Sequence, residues 1–221
     1  MDNYFISELI VLICALIGFV YGMIKCIGLK NIPFLQIVVF AVGCVACGRL
    51  YIVVQNLTGT DLSDKFQLGV LGVIGSLLFI FSANFGAVEK IADIDKKKSR
   101  KYRFIAAIAP ITVLLFYVIS SVVVSKSTLE LISGGGLTLL VMQSSYYNLK
   151  HLLLSGADNG LLAHLRTYNI LALIYASLCM AQQFALSINS EIAVLITGTL
   201  IGAIMLFIIP AAETGVKKWK T

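Results

Sequence analysis

Hydrophobic residues along this chain come in long uninterrupted runs, and charged residues are confined to short segments between them. The uncharged runs cover Leu9–Ile24, Asn31–Gly48, Phe66–Val88, Phe104–Ser125, Leu131–Leu149, Thr167–Ser190 and Ile192–Ala212. A helix needs about 20 such residues to cross the hydrocarbon core of a bilayer. The runs lack the alternation of apolar and polar residues that marks the strands of a membrane barrel. The pattern therefore predicts membrane-spanning helices.

The predicted fold is an all-α, polytopic membrane protein with seven transmembrane helices in a single domain, residues 1–221. Phe5 and Ile6 extend the first run outward past Glu8, and the second run continues beyond Arg49 to about Gln55. The predicted spans are then about 5–24, 31–55, 66–88, 104–125, 131–149, 167–190 and 192–212.

The composition supports the same class of protein. Hydrophobic residues make up 59% of the chain and charged residues only 13%, whereas a soluble domain carries about 25% charged residues. The longest predicted loops, residues 89–103 and 150–166, are too short for an extramembrane domain. We therefore expect any binding or catalysis to occur within the bundle, at its rims or in a partner.

The basic residues predict the orientation. The chain has 17 basic residues. Lys65 and Lys126 fall in segments on one predicted side of the membrane, Arg49 falls within a span, and all the others fall on the opposite side. Since cytoplasmic loops are enriched in Lys and Arg, the N-terminus is predicted outside and the C-terminus in the cytoplasm. The net charge of +6 then reflects topology and attraction to the bilayer, so that nucleic acid is not an expected partner.

Polar residues inside the runs concentrate toward the predicted outer side. At about 1.5 Å per residue, Arg49 lies roughly 27 Å above Asn31, close to the outer boundary of the second helix. Gln182 and Gln183 lie in the outer half of the sixth helix, and Gln143 is the most central strongly polar residue. The candidate substrate-binding residues are therefore Arg49, Gln143, Gln182 and Gln183.

Arg49 has two interpretations. Its side chain can extend to the outer interface, where five acids are available as partners: Glu8, Asp61, Asp64, Glu130 and Glu191. Alternatively, the guanidinium points into the bundle and anchors a solute, with an acid as a partial counter-charge. An unpaired arginine in lipid is costly, so either interpretation requires a partner.

Glycine residues predict close helix packing. Gly198 and Gly202 form a GxxxG motif, Gly69, Gly72 and Gly75 line one stripe of the third helix, and Gly43 and Gly48 flank two cysteines in the second. Such residues allow helix backbones to approach each other closely. The consecutive residues Gly134, Gly135 and Gly136 weaken a helix, and they predict either a hinge or tight packing in the fifth helix.

Cys44 and Cys47 lie one helical turn apart and share a face. A C-x-x-C near the outer end of a second helix, with an arginine close by, resembles the quinone-linked membrane thiol oxidases that form disulfides. Those enzymes have four helices and a second, external cysteine pair. Here Cys14, Cys26 and Cys179 all lie away from the predicted outer loops, and plain packing of small apolar cysteines is the favoured interpretation.

Cofactor motifs are missing from the predicted spans. The last helix has no central lysine for a retinal Schiff base, and both His151 and His164 fall in a predicted cytoplasmic loop, away from any haem position. No carboxylate lies in the middle of a span, where a pump would place its proton relay. We expect no cofactor and no metal, and an enzyme is the less favoured interpretation.

Three functions remain open. The favoured hypothesis is a small transporter or channel-like protein in a plasma or inner membrane, for a small polar or anionic solute that binds in the outer half. The second is a non-catalytic membrane subunit or sensor whose basic loop and C-terminus engage a partner protein. Whether the chain also forms a homo-oligomer or joins a membrane complex is left open. The third is a thiol oxidoreductase that uses Cys44 and Cys47.

Overall fold

The computed structural model describes residues 3–27, 32–58, 69–88, 96–124, 128–156 and 160–220. The described residues form helices and no strands. The helices are α1 Asn3–Gly22, α2 Pro33–Leu57, α3 Gly69–Ser82, α4 Lys96–Ala106, α5 Ile108–Val123, α6 Thr128–Ser155, α7 Leu161–His164, α8 Arg166–Ser187 and α9 Glu191–Lys220. The π-helical turns Met23–Ile27 and Ala83–Val88 extend α1 and α3.

Within these ranges, six helical segments are long and apolar enough to cross a membrane. They are Asn3–Cys26, Pro33–Leu57, Gly69–Gly86, Arg100–Val123, Arg166–Ser187 and Glu191–Trp219. The prediction of an all-helical, multi-pass membrane protein is confirmed at this level. The fifth predicted span, residues 131–149, corresponds to α6, which is not among the six because polar residues interrupt its apolar sequence.

The first and last helices, α1 and α9, run parallel to each other in close contact. Near their beginnings, the Ser7 hydroxyl donates to the carbonyl oxygen of Val194 at 3.0 Å, and Gly198 lies directly against Ser7. Further along both helices, the Tyr21 hydroxyl donates to Glu213 at 2.6 Å. The small residue at position 198 thus permits α1 to pack directly on α9.

Helices α2 and α3 are antiparallel and meet through glycine. A Cβ atom added at Gly72 would lie 2.7 Å from the Cα atom of Gly48 and 2.5 Å from the carbonyl oxygen of Cys44. Gly69 and Gly75 contact the same face of α2. At this interface the backbones of α2 and α3 are therefore in close contact through their glycine residues.

The remaining helices complete the bundle. α8 packs antiparallel to both α6 and α9, and the short turn into α9 places Asn189 at φ 52°, a conformation that asparagine tolerates better than most residues. α5 lies outside, mainly against α6, and leaves most of its hydrophobic side chains exposed. The core lies between the other long helices.

Helices extend into two segments that were predicted to be loops. α4 covers residues 96–106 of the basic segment, and α6 continues through Lys150 and His151 to Ser155. Charged residues mark where a chain leaves the hydrocarbon, but Lys and Arg are good helix formers, so a helix does not have to end there. His151 is therefore a buried helical residue and not a loop residue.

Substitution of Gly72 by alanine tests the α2–α3 contact. The new methyl group would meet backbone atoms of Cys44 and Gly48, and overpacking of this kind costs about 1–3 kcal/mol. We expect Gly72→Ala to lower the thermal unfolding temperature in detergent. Gly136→Ala in α6 is the control, because nothing lies within 4 Å of its added Cβ; equal stability of the two variants would contradict the contact.

Candidate binding site at Arg49

Arg49 lies near the C-terminal end of α2, and its guanidinium group is turned into the bundle. Nη1 donates to both carboxylate oxygens of Glu8 on α1, at 2.5 and 2.6 Å, and Nη2 donates to Oε1 of Gln182 on α8 at 2.8 Å. Arg49 is 6% exposed and Glu8 is fully buried. The side chain of Arg49 therefore does not extend away from the bundle toward the membrane interface, which was the first of its two interpretations.

Glu8 is a complete counter-charge for Arg49. We expected an acid from an outer loop to neutralise an inward-pointing arginine only in part, whereas this carboxylate belongs to a spanning helix and contacts one guanidinium nitrogen with both oxygens. Buried opposite charges stabilise each other strongly only when they are paired and hydrogen-bonded. The site as observed carries no net charge from this pair.

The position of Glu8 follows from the α1–α9 contact. The preceding residue, Ser7, is bonded to Val194 and packed against Gly198, so the first turns of α1 are held on α9. Glu8 is the next residue around the helix, and its side chain is directed toward α2. On α2, Gly48 contacts α3 while the adjacent Arg49 is turned toward α1 and α8.

A small cavity of about 50 Å³ adjoins this cluster. Its polar lining comes from Tyr4, Arg49, Cys179, Gln182 and Gln183, and apolar side chains complete the wall. Arg49 Nε and Gln182 Nε2 are buried and have no hydrogen-bond partner among the described residues. Since buried donors in proteins are nearly always satisfied, the cavity suits an occupant with an acceptor atom.

Three of the four candidate substrate-binding residues come together here. Arg49, Gln182 and Gln183 all line the cavity. Gln143 does not: it is exposed on a face of α6 that also carries Ile132 and Leu139. Its depth was estimated from the helical rise, but depth does not determine which way a side chain points around the helix axis.

The triple glycine does not interrupt α6, which runs unbroken through Gly134, Gly135 and Gly136. A Cβ atom on Gly134 would lie 3.3 Å from both the Gln183 side-chain nitrogen and the Tyr117 ring. Gly134 therefore permits close approach of α5 and α8 to α6. A hinge at these glycines remains a prediction.

The two cysteines of the C-x-x-C motif face different surroundings. Cys44 contacts Gly75 on α3, whereas Cys47 is exposed on the bundle surface. All five cysteines are free thiols. The packing interpretation of Cys44 agrees with this arrangement, and the redox hypothesis receives no support from it.

Buried side chains continue from the cavity along one face of α8. Cys179 and Tyr175 follow Gln182 at helical spacing, and Tyr175 lies about 10 Å from Gln182 along the helix axis. The Tyr175 hydroxyl is hydrogen-bonded to Ser76 on α3, and both residues are buried. The cavity thus lies at one end of a line of buried side chains that reaches the middle of the bundle.

A second buried polar cluster joins α6 to the end of α3, and sequence reasoning missed it. Asn84 Nδ2 donates to Asn148 Oδ1 at 2.8 Å, Asn148 Nδ2 donates to the Ser144 carbonyl at 2.7 Å, and His151 Nδ1 lies 3.4 Å from Asn84 Oδ1. All four residues are fully buried. The spacing of positions 144, 148 and 151 was the available signal, since it places them on one helical face.

Removal of the Glu8 carboxylate should destabilise the protein. Glu8→Ala leaves the buried Arg49 charge unpaired, and breaking such a pair costs about 3–5 kcal/mol. Glu191→Ala, at an exposed acid of α9, should change stability by less than about 0.5 kcal/mol.

A double-mutant cycle isolates the interaction. In the double variant Glu8→Ala/Arg49→Leu no buried charge remains, so we expect it to be more stable than Glu8→Ala alone. Thermal unfolding in detergent measures all four proteins. Additive losses from the two single substitutions would contradict a direct Glu8–Arg49 interaction.

No protein-family model, curated protein or solved structure matches this chain. Its function therefore has to be argued from the Arg49 site itself.

Proposed function

We propose that this protein is a small transporter or channel-like protein of a plasma or inner membrane, and that it binds a small polar or anionic solute beside Arg49. The observation that carries this proposal is the pair of unpartnered donors, Arg49 Nε and Gln182 Nε2, on buried side chains that line one cavity. A buried donor without an acceptor is unfavourable by about 1–3 kcal/mol. An occupant that supplies acceptor atoms would remove this cost.

The cavity limits the size and chemistry of the occupant. At about 50 Å³ it has room for a few water molecules or a solute of similar size. The N–H donors select for oxygen or halide acceptors, and the apolar remainder of the wall excludes larger polar molecules. We therefore propose a solute of a few non-hydrogen atoms, not a sugar or a nucleotide.

The proposed topology has seven spans: the six candidate helices and α6, which is the fifth span in chain order. Its 28 residues extend about 42 Å, longer than the hydrocarbon core. Contacts support opposite directions for consecutive long helices: Tyr117 near the end of α5 bonds to Leu131 near the beginning of α6, and Thr138 on α6 contacts Met180 on α8. With basic residues inside, the Arg49 site lies in the outer half.

One observation favours a partner within the membrane, as in the second hypothesis of a membrane subunit or sensor that engages a partner protein. Gln143 is exposed midway along α6 on a face with apolar neighbours. An amide facing lipid is unfavourable, whereas amides often hydrogen-bond across helix interfaces in membranes. A second membrane helix against this face is compatible with solute binding at Arg49 and does not replace it.

Cysteine labelling tests the orientation. In a background without the native cysteines, Leu62→Cys should react with a membrane-impermeant maleimide added from outside intact cells. Lys97→Cys should react only after the membrane is opened, because the basic segment is predicted to be cytoplasmic. The reverse pattern would overturn the orientation.

Solute binding is tested with two substitutions at glutamine. Gln182→Leu removes a donor at the cavity, so binding of nitrate or acetamide, detected as a rise in unfolding temperature, should weaken about 2–10-fold. Gln143→Leu is the matched control and should bind like the wild type, since Gln143 lies outside the cavity. Equal effects of the two substitutions would argue against this site.

A further inference from the structure

The Glu8–Arg49 pair indicates which ion accompanies the solute at the proposed site. We propose that the solute is a small monovalent anion, and that each anion enters together with one proton, which is accepted by Glu8. This inference rests on the proposed function, because it requires solute to bind beside Arg49. It identifies the class of solute and the residue that links its binding to pH.

The charge of the site requires the proton. Arg49 and Glu8 together carry no net charge, and both are buried. An anion added to the intact pair would leave one uncompensated negative charge in a low-dielectric environment, which is strongly unfavourable. If Glu8 takes up a proton, Arg49 retains its charge and the anion becomes its counter-charge.

Movement of Glu8 into water is not an equivalent solution. Its side chain is fully buried, and the turn that carries it is held on α9 through Ser7, Val194 and Gly198. To expose Glu8, α1 would have to separate from α9. Protonation of the carboxylate in place requires no such movement.

Among the described groups at this site, Glu8 is the acid that can accept the proton. On α1 its titratable neighbour is Tyr4, and on α2 it is Arg49 itself. On α9 the acid at this end is Glu191, which accepts a hydrogen bond from Asn3 and is exposed.

The side of the site formed by α8 adds no charge. Gln182 is neutral and bonds to Arg49, while Tyr175 and Cys179 lie deeper on the same helix. The Glu8 carboxylate, which contacts Arg49, is therefore in position to take up a proton when the anion binds.

The binding step balances in charge and atoms. One proton joins a Glu8 carboxylate oxygen, and one anion binds in the cavity, where it accepts hydrogen bonds from the unpartnered Arg49 Nε and Gln182 Nε2 donors. Release reverses both events, so that a proton and an anion leave together.

Nitrate is a suitable probe. It is small and planar, and it presents oxygen atoms to the guanidinium group as a carboxylate does. As the anion of a strong acid, it does not cross a bilayer in protonated form, unlike formate or acetate. Acetamide serves as the neutral probe with a carbonyl acceptor.

Binding is measured first, as the nitrate-dependent rise in unfolding temperature of the full chain in detergent. In the wild type, nitrate affinity should increase by about tenfold for each unit decrease in pH, as expected for uptake of one proton. Glu8→Gln imitates the protonated acid, so its nitrate affinity should be high and independent of pH. Glu191→Gln is the control and should keep the wild-type pH dependence.

Transport is measured next, in liposomes that contain the protein and a trapped pH indicator. With wild-type protein, inward nitrate flow should acidify the interior by one proton per nitrate and should be insensitive to membrane potential. Glu8→Gln should transport nitrate without protons, and this flux should respond to the potential.

The outcomes separate the inference from the proposed function. If acetamide stabilises the wild type and nitrate does not, or if nitrate binds equally at all pH values, the proton–anion inference is wrong and solute binding stands. If neither probe binds to the wild type or to Glu8→Gln, the proposed function fails as well. If Glu8→Gln keeps the wild-type pH dependence, Glu8 is not the proton acceptor.

Discussion

The buried ion pair between Arg49 and Glu8 is the interaction on which this end of the bundle depends. Its two charges come from different helices, α1 and α2. Gln182 connects a third helix, α8, to the pair through a hydrogen bond with Arg49. In a low-dielectric environment the attraction between the charges is strong, but the cost of leaving either one unpaired is also large. The structure therefore has to keep α1, α2 and α8 in one arrangement at this level.

Close helix packing supplies that arrangement. Gly198 allows α1 to lie directly on α9, and Gly48 and Gly72 allow α2 to lie directly on α3. Membrane helices gain little from hydrophobic burial against each other, since lipid is equally apolar, so close van der Waals contact has to hold them together. The same contacts that stabilise the bundle also direct Glu8 toward Arg49, so the geometry of the ion pair follows from helix packing.

The neutrality of the pair has a chemical consequence. A lone arginine would attract anions regardless of pH, whereas an arginine already matched by a carboxylate takes an anion as its counter-charge only when the charge of the carboxylate is cancelled. The unpartnered donors beside the cavity, Arg49 Nε and Gln182 Nε2, show that the cluster does not use every hydrogen bond available to it. A neutral ion pair beside spare donors is the arrangement on which the proposal of reversible binding rests.

The sequence by itself determined the helical class and the approximate position of the long helices that the structure describes. These properties follow from local composition and from a constant rise per residue, so they need no knowledge of neighbours. Only the tertiary structure decided that Glu8, one of five outer acids, is the partner of Arg49. It also decided that Gln143 faces outward and that His151 is buried beside Asn84. The physical reason is that partner choice depends on how each helix is rotated and which helix lies beside it, and these are set by contacts between residues far apart in the chain.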